Sequence, residues 1–276
     1  MLRQRATSAV ILVPPLLVVL ALGGIWIAAI VAIATALAAI EVFRLARAAG
    51  YPSLAALGTL LAVAVVVDAA VPRLLQGSGL LLGAVGVMLI AVAAFAARDP
   101  REGLATWMTT VFGALYVALL VFVVRLGQAA PPLPGTAPLS MLGAERGWIL
   151  LLVLGVWSFD TGAYFVGRRF GQRKFLTHIS PSKTYAGLVG GLIAVTLVTG
   201  VMLWGLGQPP FLGVVLGPLI GLAAQAGDLA ESMIKRAAGA KDSGDLIPGH
   251  GGILDRIDSF LFAAPVVTLY VVAIVR

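Results

Sequence analysis

The 276-residue chain contains no cysteine and only two histidines, and Asp, Glu, Lys and Arg together make up just 11% of it. Without cysteine there is no disulfide scaffold, no thiolate-ligated zinc and no thiol nucleophile. Charge this sparse, against roughly 25% in soluble domains, excludes an ordinary water-soluble enzyme. What fills the chain is apolar: 60% of the residues are hydrophobic, far more than a solvated disordered chain carries. The expected fold class is therefore all-α, a polytopic integral membrane protein in a lipid bilayer. The formal net charge of +7 reads as basic loops on one side of that bilayer. No nucleic-acid partner is expected.

A bilayer-spanning helix needs about 20 mainly apolar residues. Apolar runs at 6–22, 24–43, 53–71, 79–97, 104–126, 147–167, 185–206, 210–226 and 258–275 predict about nine transmembrane helices. Residues 8–40 form one unbroken apolar run, which Gly23-Gly24 divides into two helices; Pro14-Pro15 bends or breaks the first. With the N-terminus in the cytoplasm, fifteen of the nineteen basic residues fall inside. Fusing the first two spans lowers that to thirteen, so the positive-inside bias favours nine. Residues 1–22 also have the make-up of a cleaved signal peptide, with Arg3 and Arg5, an apolar stretch and Ala21-Leu22-Gly23. The downstream spans do not depend on that alternative. The expected location is a bacterial-type cytoplasmic membrane, with the N-terminus and the polar site on the cytoplasmic side.

The chain changes character near residue 147. Residues 1–146 hold about five spans joined by short loops, with a Pro/Gly-rich outer connector at 128–146. Residues 147–276 hold about four spans and two long inside loops, 168–184 and 227–257. Three acidic residues lie within or beside spans. Asp68, near the outer end of its span, is expected to reach the interface. Glu41 is expected to pair on the helix surface with Arg44, three residues on. Asp160 lies deep in Trp157-Ser158-Phe159-Asp160-Thr161-Gly162-Ala163-Tyr164; an ionisable group in a span usually faces a cavity, a partner or an ion.

The two inside loops carry the remaining polarity. In Ser180-Pro181-Ser182-Lys183-Thr184, Pro181 and its hydroxyl neighbours predict a turn and a helix start. Hydroxyls, backbone N–H groups and a lysine at a helix N-terminus suit a phosphate, although a plain capped entry into the next span reads equally well. In the second loop, Asp228, Glu231, Ser232 and Lys235 fall at i, i+3, i+4 and i+7 and share a helical face. Asp255 and Asp258 share another. The Pro248 and paired glycines between them permit a tight bend, so the two acidic helices can converge at the cytoplasmic boundary. Hard oxygen ligands favour Mg²⁺ over zinc, with Lys235, Arg236, Lys241 and Arg256 to balance phosphate charge. An ordinary mixed-charge loop is the competing reading.

From Ser232 to Asp258 the chain resembles the signature of phosphatidate cytidylyltransferases (CDP-diacylglycerol synthases). The match runs through Ser232, Lys235-Arg236, Lys241-Asp242, then Pro248, His250-Gly251-Gly252, Asp255-Arg256 and Asp258. Asp160-Thr161-Gly162-Ala163-Tyr164 with Gly167-Arg168, and Ser180 to Thr184 with Gly187, are similar to two further pieces of that family. Ser182 stands where the family usually has a second lysine, and Ala186 where it usually has glutamate. The resemblance implies transfer of a cytidylyl group from CTP to phosphatidic acid, giving CDP-diacylglycerol and pyrophosphate for phospholipid synthesis. The expected roles of the residues read above follow. Asp228, Asp255 and Asp258 are the catalytic, Mg²⁺-holding carboxylates, with Asp160 completing a polar cavity. Ser180, Lys183, Thr184, Ser232, Lys235, Arg236, Lys241, Asp242, His250 and Arg256 meet the substrates. A second, monovalent cation and a homodimer are left open. A CDP-alcohol phosphatidyltransferase would need Asp-Gly-x-x-Ala-Arg, which is absent. An ion-coupled transporter using Asp160 and Asp228 would be expected to show repeats and paired broken helices, and a non-catalytic scaffold would show no dependence on CTP or Mg²⁺.

Overall fold

The computed structural model describes residues 14–15, 17–71, 78–246 and 251–275. Most of the expected first span, Arg3, Arg5, Arg73 and His250 lie outside the described residues.

Every regular element among the described residues is a helix: α1 Ile25–Ala48, α2 Ala55–Ala70, α3 Gly79–Ala94, α4 Pro100–Ala118, α5 Val121–Ala129, α6 Ala144–Phe170, α7 Tyr185–Gly205, α8 Gly213–Ala237 and α9 Leu254–Tyr270. In lipid each backbone N–H and C=O must find a partner within the chain, and a helix does so segment by segment. Six helical stretches among the described residues are long and apolar enough to cross a membrane, with Pro100–Ala129 counted as one, and α2 and α3 are shorter apolar helices. Together they fall on the second to ninth expected spans. The division at Gly23-Gly24 is present: both glycines have positive φ, 69° and 50°, and residues 17–22 are helical before it. Pro100 opens α4 behind Asp99, whose side chain accepts from the Arg101 N–H at 2.9 Å.

The polarity of the chain changes near 147, but compactness divides it differently. One unit comprises residues 1–124 with 233–257, the other residues 125–232 with 258–276. In the first, α2 and α4 pack against Phe43 of α1, which is fully buried. Its ring occupies space left by Gly58 of α2 and Gly113 of α4, where a Cβ would collide with it. Asp68 does not reach the interface as expected. It is only 3% exposed, and its Oδ2 is the nearest atom to the space above Gly79, at the start of α3. Both its oxygens are buried without a hydrogen-bond partner among the described residues, and the nearby N-terminus of α3 offers them partial positive charge.

In the second unit α6 and α7 lie along one another. Glycines make this approach possible: Gly162 abuts Ala194 and the Gly190 backbone, and Gly191 abuts the Phe159 ring. Small residues let helix backbones close together where burial from water gives no drive between helices. Phe159, fully buried, also fills the space over Gly221 of α8. This packing fixes the polar ends of α6, α7 and α8 relative to each other within that unit.

Candidate functional site

Two polar clusters form, one in each compact unit. The first begins with the loop before α7. Lys174 and Thr184 pair in antiparallel fashion, with the Phe175 N–H donating to the Lys183 carbonyl at 3.2 Å and the Tyr185 N–H to the Arg173 carbonyl at 3.1 Å. The Lys183 N–H donates to the Ser180 carbonyl at 3.3 Å, closing a turn over Pro181 and Ser182. Thr184 then caps α7, its Oγ1 accepting from the Gly187 N–H at 3.1 Å. The expected turn and helix start are both there. Ser180 and Thr184 are buried, and the turn delivers the Lys183 ammonium into a salt bridge with Asp228.

Asp228 follows Gly227 on α8, and Gly227 is where α8 meets the start of α9. A Cβ on Gly227 would stand 3.1 Å from the Asp258 carbonyl carbon, 3.2 Å from Ser259 Cα and closer still to the Asp258 carbonyl oxygen. Only a residue without a side chain allows this backbone approach, and its result is electrostatic. Asp228, Glu231 and Asp258 each bring a carboxylate oxygen to within 4.8 Å of the others. Glu231 is wholly buried and Ser232 is 8% exposed, with the Ser232 Oγ 3.5 Å from Asp228 Oδ1. Asp160, exposed on α6, interacts electrostatically with Lys183 and Asp228. Like charges this close repel strongly, and the Lys183 ammonium offsets one of them through its salt bridge with Asp228. All three carboxylates offer hard oxygen, which suits Mg²⁺ rather than a thiophilic metal.

The second cluster lies in the other unit. Lys235 Nζ pairs with Asp255 Oδ1 at 2.6 Å, the two side chains being 11% and 7% exposed. Asp255 Oδ2 accepts from the Ser243 N–H and the Gly252 N–H, each at 2.8 Å, and lies 2.7 Å from the Ser243 hydroxyl. The partners of Asp255 are thus a lysine and the donors of its own loop. Glu41 enters from α1. Its Oε1 accepts from the Ile253 N–H at 3.0 Å and its Oε2 from the Leu254 N–H at 2.8 Å, two of the N–H groups that a helix start leaves open. The Ser243 hydroxyl is also 3.0 Å from Glu41 Oε2, and Arg44 donates to the Ser243 carbonyl. The expected surface pair of Glu41 and Arg44 is therefore corrected. Glu41 is 7% exposed, and both residues turn to the loop, because a buried carboxylate gains more from fixed N–H donors than an exposed one does from a lysine or arginine on its own helix.

Of the remaining residues expected at a site, Arg236 donates to the Ala240 carbonyl at 3.1 Å, at the end of α8. Lys241, Asp242 and Arg256 are exposed. Glu231 was not among the expected metal ligands, although its spacing from Asp228 put it on the same helical face. Glu41 and Ser243 were not expected at any site.

The chain matches the cytidylyltransferase family over residues 3–274, nearly its whole length. The chain belongs to that family. A phosphatidate cytidylyltransferase of Synechocystis is 36% identical over 288 residues, covering 98% of this chain and 96% of the relative. A phosphatidate cytidylyltransferase of Bacillus subtilis is 47% identical over 120 residues, 43% of this chain and 45% of the relative. That of Staphylococcus saprophyticus is 44% identical over 136 residues, 46% of this chain and 50% of the relative. The chain is thus an integral membrane member of the family with bacterial relatives.

Proposed function

We propose that this protein transfers the cytidylyl group of CTP to phosphatidic acid. A phosphate oxygen of the lipid attacks the α-phosphorus of CTP, the bond to the bridging oxygen of the β-phosphate breaks, and pyrophosphate leaves with that electron pair. The products are CDP-diacylglycerol and pyrophosphate. The observation that carries this reading is the likeness, end to end, to a phosphatidate cytidylyltransferase, in a chain whose carboxylates gather beside a lysine-bearing turn.

In this reading Asp228, Glu231 and Asp258 would hold Mg²⁺, which would supply charge neutralisation for the phosphates and alignment of the reacting groups. Lys183 is carried on a rigid turn and takes the lipid phosphate, exchanging its bond to Asp228 for one to substrate. Asp160 steers that lysine through its charge. Lys235, held by Asp255, is the further basic side chain that this reading assigns to phosphate contact, and basic side chains stabilise charge in such a transition state. The attacking phosphate is ionised at neutral pH, so no general base is required. The site belongs at the cytoplasmic face, where a lipid headgroup and a soluble nucleotide can meet, and the basic residues concentrate on that side in the expected topology.

The test uses purified protein in detergent, radiolabelled CTP and phosphatidic acid, with lipid-phase counts as the readout. Label entering lipid only when phosphatidic acid and Mg²⁺ are both present is the expected result. Well-folded protein that moves no label across several acyl compositions would overturn the reading.

A further inference from the structure

We propose that Glu41 is a positioning residue for this transfer, acting from α1 on the loop that carries Asp255. The inference rests on the reaction proposed above. Among the described residues, the bonds of Glu41 go to the Ile253 and Leu254 N–H groups, and its Oε2 stands beside the Ser243 hydroxyl. Ser243 in turn meets Asp255 through both its N–H and its hydroxyl, and Asp255 holds Lys235. A line of polar contacts therefore runs from Glu41 to the Lys235 ammonium, with the Ser243 hydroxyl standing between the two acids.

The loop is shaped around this carboxylate. A Cβ on Gly252 would overlap the Ser243 hydroxyl and both Glu41 oxygens, and one on Gly244 would stand 2.8 Å from Glu41 Oε1. Arg44, one turn along α1, holds the Ser243 carbonyl. The loop closes because two glycines leave room for an acid and because that acid's lone pairs replace helix-start partners that water would otherwise provide. Replacing the carboxylate with an amide turns one acceptor into a donor facing other donors. The first turn of α9 then loses its anchor, and Lys235 loses its fixed direction while the other side chains assigned to substrate contact stay in place.

The experiment compares wild type, Glu41→Gln and Glu41→Asp for kcat, for KM with CTP and phosphatidic acid, for Tm in detergent, and for amide exchange over residues 251–255. Glu41→Gln should lose about 10- to 100-fold in kcat, the scale of an ångström misplacement, with both KM values within about threefold of wild type. Glu41→Asp, which keeps the charge, should recover much of the loss. Exchange should quicken at Ile253 and Leu254 without quickening through α1 to α4. A Glu41→Gln kcat within about twofold of wild type, or a loss that follows a fall in Tm and is not relieved by aspartate, overturns the proposal. Should Glu41→Gln fail to fold, Ser243→Ala removes the hydroxyl between the two acids. A kcat loss at wild-type Tm then supports the proposal, and wild-type kcat overturns it. The exchange arm needs no substrate, so protection unchanged in Glu41→Gln refutes the anchoring role even if the proposed reaction is wrong. Wild type inactive toward phosphatidic acid refutes the reaction itself.

Discussion

Gly227→Ala offers the most direct test of how the acidic group is assembled. The added Cβ would stand 3.1 Å from the Asp258 carbonyl carbon and 3.2 Å from Ser259 Cα, and nearer to the carbonyl oxygen. Carbon atoms at rest sit about 3.5–4.0 Å apart. The nearest atoms are backbone and cannot rotate away, so α8 and α9 must separate locally by about 1 Å. Displacement on that scale at a reacting centre can cost about 10²-fold in rate, equivalent to about 2.7 kcal/mol of transition-state stabilisation. Stability should fall less. The helix gains about 1 kcal/mol from replacing glycine with alanine, against about 1–3 kcal/mol for overpacking. The assay is lipid-phase label at increasing Mg²⁺, alongside Tm in detergent. Gly83→Ala is the control, since a Cβ there meets nothing within 4 Å. Turnover within about threefold of wild type, at an unchanged Mg²⁺ midpoint, would refute the claim that this backbone approach sets the carboxylate geometry.

Asp228→Asn and Asp258→Asn should each abolish most Mg²⁺-dependent turnover in protein that purifies normally, and wild-type rates in both would sink the metal assignment. Thr184→Ala should cost about 1 kcal/mol through the lost cap, whereas Thr184→Ser should restore Tm and activity together; Tm restored without activity would point instead to a substrate role for the threonine methyl. Phe43→Ala should lower Tm strongly, as emptying a fully buried aromatic site costs about 3–5 kcal/mol, and it should leave both KM values unchanged.

Helix positions, the break at Gly23-Gly24 and the capped turn before α7 were legible in the sequence, because each depends on residues a few positions apart. Apolar runs of membrane length, paired glycines and a Ser-Pro-Ser step act locally. The acid face of α8 was legible for the same reason, Asp228 and Glu231 being three residues apart. What could not be read was the far end of each long-range bond. Glu41 lies 212 residues from Ile253, and no periodicity links them; beside Arg44 it has the spacing of an ordinary helix-surface pair. Asp68 misled in the same way, since a lone acid near a span end gives no sign that the start of a neighbouring helix will cover it. The role of Gly227 was also hidden, because one more glycine in a glycine-rich membrane protein carries no mark of what will lie against it.

The bonds from Glu41 also impose an order on biosynthesis. A ribosome adding about 5–20 residues per second needs roughly 10–40 s to travel from α1 to the loop that α1 will hold. Throughout that interval Glu41 has none of its partners from residues 243–254, so the carboxylate must stay hydrated or be sheltered by the insertion machinery. A chain released before Ile253 leaves it so permanently. The residues that complete the first helix bundle are thus made 212 positions after the carboxylate they bond.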